Sequence, residues 1–67
     1  MSYAKLRGRI RELCGTQEAF ASAIGVSPST LSLKLSGARD WSREEIELAA
    51  ECLHIPLEEI HTYFFSH

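Results

Sequence analysis

Apolar positions recur at helical intervals along almost the whole chain, and glycine, proline or a capping hydroxyl separates each run from the next. The spacing predicts five helices and no strand. Leu6, Ile10 and Leu13 define the inward face of a first helix over about residues 3–14, with Ser2 as its N-cap and Gly15 ending it. Gly8 inside it costs about 1 kcal/mol relative to alanine, so this helix depends on packing. Thr16 caps a second helix over 17–24, with Phe20, Ala21 and Ile24 inward. Gly25 then provides a backbone free to turn left-handed. Ser27 caps a third helix opening at Pro28, whose missing N–H is harmless in a first turn, and Gly37 closes it. "SREE" at 42–45 reads as a capping box opening a fourth helix with Ile46, Ala49, Ala50 and Leu53 inward. Pro56 opens the fifth, "PLEEIHTYFF", with Leu57, Ile60 and Phe64 as its buried stripe.

The third helix carries one leucine too many for a single face. At about 100° per residue Leu31 and Leu35 lie about 40° apart, whereas Leu33 lies about 160° from each and shares its side with Ser29 and Ser36. Leu31 and Leu35 are the expected anchors, and Leu33 is expected to face outward. The terminal "TYFF" has the same problem: three consecutive aromatics cannot all be buried by one helix, so part of the run is left for a dimer contact.

Composition changes the picture little. With 45% hydrophobic and 24% charged residues over 67 positions, the chain reads as one folded domain rather than a disordered one. No apolar stretch reaches the roughly 20 residues of a membrane span, and "MSYAKLRGRIREL" lacks an apolar signal core, so a cytoplasmic protein without membrane contact is expected. Cys14 and Cys52 are expected as reduced, small apolar residues. Charge matters more, because it is segregated. Residues 1–43 hold all seven Lys and Arg against three acidic residues, a balance of +4; residues 44–67 hold six Glu and no Lys or Arg. A basic end suits a polyanion, and an acidic end limits nonspecific adhesion to it.

The pair of short helices in "TQEAFASAIGVSPSTLSLKLSG" is the helix-turn-helix arrangement, in which one helix braces the other against DNA. Gln17, Ala21, Gly25, Ser27 and Gly37 stand at offsets that resemble the phage repressor and Cro class, the XRE-like DNA-binding domains. "IELAAECLHIPLEEI" is similar to the closing helices of that family. The resemblance implies an all-α, compact five-helix lambda-repressor-like domain, a Cro-like phage or prophage repressor that binds palindromic double-stranded DNA as a homodimer with the third helix in the major groove. No enzyme activity, cofactor or small-molecule ligand is expected of the chain. The lack of a second domain makes the chain similar to Cro rather than to a two-domain repressor.

On that resemblance Gln17 is the phosphate contact at the start of the second helix, and Arg39 and Arg43 flank a loop lying along the DNA backbone. Ser27, Ser29, Thr30 and Ser32 are short hydroxyls near the reading side, Ser27 being first of all the cap. Pro28 occupies a position where the family often reads a base with a polar side chain, which shifts weight to DNA shape and phosphate contacts. Leu33 either meets thymine methyl groups, packs on a neighbouring chain or is merely exposed. Lys34 stands where the family commonly has an apolar core residue; it either contacts a phosphate or neutralises an acidic neighbour. Of the alternating Arg7, Arg9 and Arg11, the pair four apart, Arg7 and Arg11, is the better placed for DNA. His54 replaces a glycine common after the fourth helix and is expected to carry backbone strain there. Trp41 reads as a half-exposed cover for the core or as an interface residue.

No catalytic constellation stands out, and Cys52, His54 and His61 lack the paired spacing of a zinc site. The rival function is a protein-interaction module on the same scaffold, favoured by the acidic net charge and by a third helix with one basic residue.

Overall fold

The computed structural model describes residues 3–65. Its elements are α1 (Ala4–Cys14), α2 (Gln17–Ile24), α3 (Pro28–Leu35), α4 (Arg43–Cys52), a 3-10 turn (Leu57–Glu59) and α5 (Ile60–Phe64), with no strand among the described residues. The all-α, five-helix architecture is the one the spacing predicts. The expected Ser2 cap lies outside the described residues. Within them, α1 begins one residue later than expected, behind Tyr3 in a left-handed conformation (φ 61°).

The helix ends follow their local chemistry. Thr16 Oγ1 accepts from the Ala19 N–H at 3.1 Å. Ser42 and Glu45 form the complete capping box, each side chain accepting from the other's backbone N–H at 3.1 and 2.8 Å. Between α2 and α3 only Gly25, Val26 and Ser27 intervene. Gly25 has φ 78°, and Val26 N–H closes onto the Ala21 carbonyl at 3.0 Å. A side chain at Gly25 would meet no atom within 4 Å, so the left-handed backbone, not crowding, explains the glycine.

α2 and α3 are eight residues each, below the roughly 12–15 that hold a helix alone in water, and they stand because other elements cover them. Leu6 and Ile10 of α1, Phe20, Ala21 and Ile24 of α2, Leu31 and Leu35 of α3, Ala49 and Ala50 of α4, and Leu53, Ile55 and Phe64 form one core. Cys14, Trp41, Ile46, Cys52 and Ile60 pack on its margin, and both cysteines are free thiols. Burial, reinforced by the neighbouring Cys52 thiol, raises the Cys14 pKa.

Two expected core residues are outside it. Leu57 is 84% exposed, because the segment after Pro56 opens as a tight 3-10 turn and the α-helical face begins only at Ile60. Leu13 is exposed near the end of α1, where Ile10 is the last fully buried residue. The aromatic run divides as its geometry requires: Phe64 is buried, Tyr63 half-buried and Phe65 exposed. His54 adopts φ 55°, the left-handed conformation expected of it.

Candidate nucleic-acid interface

α3 presents two chemically distinct faces. Leu31 and Leu35 are buried, and Leu33 is 43% exposed on the opposite side, flanked by exposed Ser29, Ser32 and Ser36. Ser27 is occupied as a cap: its Oγ accepts from the Thr30 N–H at 3.2 Å and donates to Thr30 Oγ1 at 2.9 Å, with Ser29 Oγ at 3.4 Å. Pro28 fills the first turn of α3, exposed and without a donor. The outer surface is therefore narrow, uncharged and made of hydroxyls around one leucine.

Lys34 is not part of it. It is 4% exposed, and its Nζ donates to the Asp40 backbone carbonyl at 2.9 Å and pairs with Glu45 Oε1 at 2.8 Å. The ammonium also lies 5.9 Å from the centre of the Trp41 ring. The hydrogen bond from Lys34, with the Ser42 N–H, holds the Glu45 carboxyl below its usual pKa. Of the two roles open to Lys34, the structure selects neutralisation of an acidic neighbour, and the phosphate role is withdrawn. The reason is geometric: Lys34 lies on the inward side with Leu31, three residues earlier, so its stem is buried and its charge must find partners inside.

Two further cations are engaged at helix ends. Arg7 Nη2 donates to the Leu35 carbonyl at the end of α3, at 3.1 Å. Arg9 Nε donates to the Leu53 carbonyl at 2.9 Å and its Nη2 to the His54 carbonyl at 3.3 Å, closing α4. Both place positive charge where a helix C-terminus favours it. Arg11, by contrast, joins Arg7, Thr16, Gln17 and Glu18 around an open notch of about 340 Å3 at the start of α2. Gln17 is exposed there, at the positive end of a helix whose first N–H groups have no helical partner. Arg39 is exposed after α3, and Arg43 is exposed at the start of α4 in a surface pair with Glu47 at 3.3 Å.

A family model described as a protein of unknown function, DUF739, matches residues 1–67, the whole chain. The chain belongs to the DUF739 family. It is also similar to a protein of known structure, the modulator of repression (MOR) of the temperate bacteriophage TP901-1 from Lactococcus lactis. That solution structure has 44% sequence identity and a TM-score of 0.83, over 96% of this chain and 86% of that one. A comparison with curated proteins finds no match.

In this DUF739 chain, the α2–α3 unit and its flanks carry Gln17, Ser27, Pro28, Ser29, Ser32, Leu33, Arg39 and Arg43 as exposed residues and Thr30 as a half-buried one. Asp40, which supplies the carbonyl that holds Lys34, was not singled out by the sequence; its role is a backbone one, and residue type carries no signal for it. Among the described residues no three His, Cys, Asp or Glu side chains are grouped to hold a metal, and no helix is long and apolar enough to cross a membrane.

Proposed function

We propose that this DUF739 chain is a phage or prophage regulatory domain that binds double-stranded DNA, with α2 and α3 as a helix-turn-helix and α3 in the major groove. The observation that carries the reading is the outward face of α3. Leu33, Ser29 and Ser32 project from a helix anchored by Leu31, Lys34 and Leu35, so a narrow surface able to reach base edges stands clear of the core. Gln17 and Arg11 at the start of α2, with Arg39 and Arg43 after α3, supply the phosphate contacts. The Arg43–Glu47 pair is exposed on both sides and is readily exchanged for a phosphate. The resemblance to Cro adds a homodimer on a palindromic operator, acting inside the host cell.

A specific observation favours a second reading, in which α3 and its surroundings contact a repressor protein instead. Arg7, Arg9 and Lys34 already serve carbonyls or carboxylates within the fold, which leaves a DNA face with few free cations. The similar bacteriophage protein is a modulator of repression.

Salt separates the two. With Arg11, Arg39 and Arg43 on phosphates, log affinity for duplex DNA falls against log salt with a slope of about −3 per bound copy. Leu33→Ala weakens binding to a selected operator while leaving thermal stability within about 0.5 kcal/mol of the parent. Absence of binding to mixed duplex at low salt and about 100 µM protein, the weak end of nonspecific affinity, ends the DNA reading in favour of the second.

A further inference from the structure

Beside the loop that follows α3, a notch of about 320 Å3 is lined by Tyr3, Gly37, Asp40, Trp41, Phe64 and Phe65. Four of these are aromatic, contributed by the start of α1, the loop and the end of α5. Trp41 is their hub: its ring lies edge-on to Tyr3 at 6.3 Å and to Phe64 at 5.2 Å. Phe65 is 57% exposed. Among the described residues, Asp40 is the one charged side chain in the lining, and no ion pair engages its carboxylate. Lys34, close to the Trp41 ring, is already paired with Glu45 and uses only the backbone carbonyl of Asp40.

We propose that this notch receives an arginine side chain presented by a partner protein. A planar guanidinium stacks on aromatic faces and forks onto a carboxylate; the notch offers the exposed Phe65 and half-buried Trp41 for the first and Asp40 for the second, with no cation among the described residues of its lining. The other occupants fit less well. A phosphate of a nucleic acid meets repulsion from Asp40. An apolar side chain strips water from the Asp40 carboxylate and gives it no partner. Lysine brings charge but neither the planar stack nor the fork. The inference concerns the loop and the chain ends rather than the outer face of α3, so it stands or falls independently of DNA binding.

The test is an NMR titration of the full 15N-labelled chain with a blocked Gly-Arg-Gly peptide and with its citrulline counterpart, which is isosteric but uncharged. Trp41 is the only tryptophan, so its indole N–H is a unique reporter, and the Gly37 amide is a second. The arginine peptide is expected to shift both signals with a dissociation constant in the low-millimolar range, and citrulline to bind about fivefold more weakly. Asp40→Asn is expected to abolish that preference without lowering thermal stability, since the Asp40 side chain is exposed and no ion pair engages it among the described residues. Phe65→Ala is expected to weaken the arginine peptide severalfold. Equal binding of the two peptides, an unchanged preference in Asp40→Asn, or no shift of either reporter up to about 20 mM peptide overturns the proposal.

Discussion

Lys34→Met removes a charge from the middle of the molecule at nearly constant side-chain volume. In the parent, the Lys34 ammonium satisfies the Asp40 carbonyl and the Glu45 carboxylate, and Glu45 in turn holds the Ser42 N–H at the start of α4. The substitution leaves one carbonyl unpaired and one carboxylate facing a thioether. Breaking a fully buried pair by removing one partner costs about 3–5 kcal/mol. Here the Lys34 side chain is 6% exposed but that of Glu45 is 22% exposed and keeps its capping bond, so about 2–3 kcal/mol is expected. For a domain of this size that lowers Tm by about 10–20 °C. Urea unfolding followed by circular dichroism and Trp41 fluorescence reads the difference. The pH dependence gives a second, independent check. The folded carboxyl of Glu45 has a lowered pKa, so its stabilisation is complete above the ordinary value of 4.5 and is lost as pH falls through the lowered folded value. The gap between parent and Lys34→Met therefore narrows on acidification from pH 7, and Glu45→Gln narrows it already at pH 7. A cost below about 0.5 kcal/mol, or a gap that does not change with acid, refutes the buried ion pair as the element that holds the 37–42 loop to α3.

Two smaller changes test the backbone and the limits of the core. His54 holds φ 55°, so His54→Gly is expected to stabilise the chain by about 0.5–1 kcal/mol in urea unfolding, with the Arg9 bond to this residue's carbonyl retained. A loss of stability contradicts the strain. Leu57 is 84% exposed, so Leu57→Ala is expected to leave the urea midpoint within about 0.5 kcal/mol of the parent, whereas a cost of about 2 kcal/mol or more, typical of a buried leucine, returns Leu57 to the core.

The helix boundaries were legible because each rests on local chemistry. The Thr16, Ser27 and Ser42 caps and the left-handed Gly25 each act within a few residues of themselves, so sequence neighbours suffice to place them. The separation of Leu31 and Leu35 from Leu33 was legible for the same reason, since a regular helix converts spacing directly into direction. Where the helix is not regular, spacing misleads. Leu57 fits the period of Ile60 and Phe64 on paper, but the 3-10 turn rotates it into solvent. The partners of long polar side chains were the least legible. Arg7 and Arg9 bond carbonyls 28 and 44 residues away, a pairing set by how α1 packs and by no pattern along the chain. Lys34 was ambiguous because an inward position and a positive charge point to opposite environments, and only the placement of Glu45 and Asp40 decides between them.

That sorting of the cations bears directly on function, since a charge that closes a helix end contributes to folding and not to counterion release. Arg9 is the cleanest case. It bridges the Leu53 and His54 carbonyls at the end of α4 through two donors, and its side chain is 30% exposed, so Arg9→Met is expected to cost about 1–2 kcal/mol of stability, discounted from a fully buried charged donor. At a temperature where both proteins remain folded, the salt slope of duplex binding is expected not to change. Arg39 is the converse. It is exposed, and Arg39→Gln is expected to leave the urea midpoint in place while reducing the slope by about one unit. If Arg9→Met instead reduces the slope at full stability, the guanidinium has been assigned to the wrong work, and the basic surface extends along α1. If neither substitution moves the slope, the positive half of the sequence serves the fold rather than a polyanion, and the charge segregation between residues 1–43 and 44–67 loses its link to DNA.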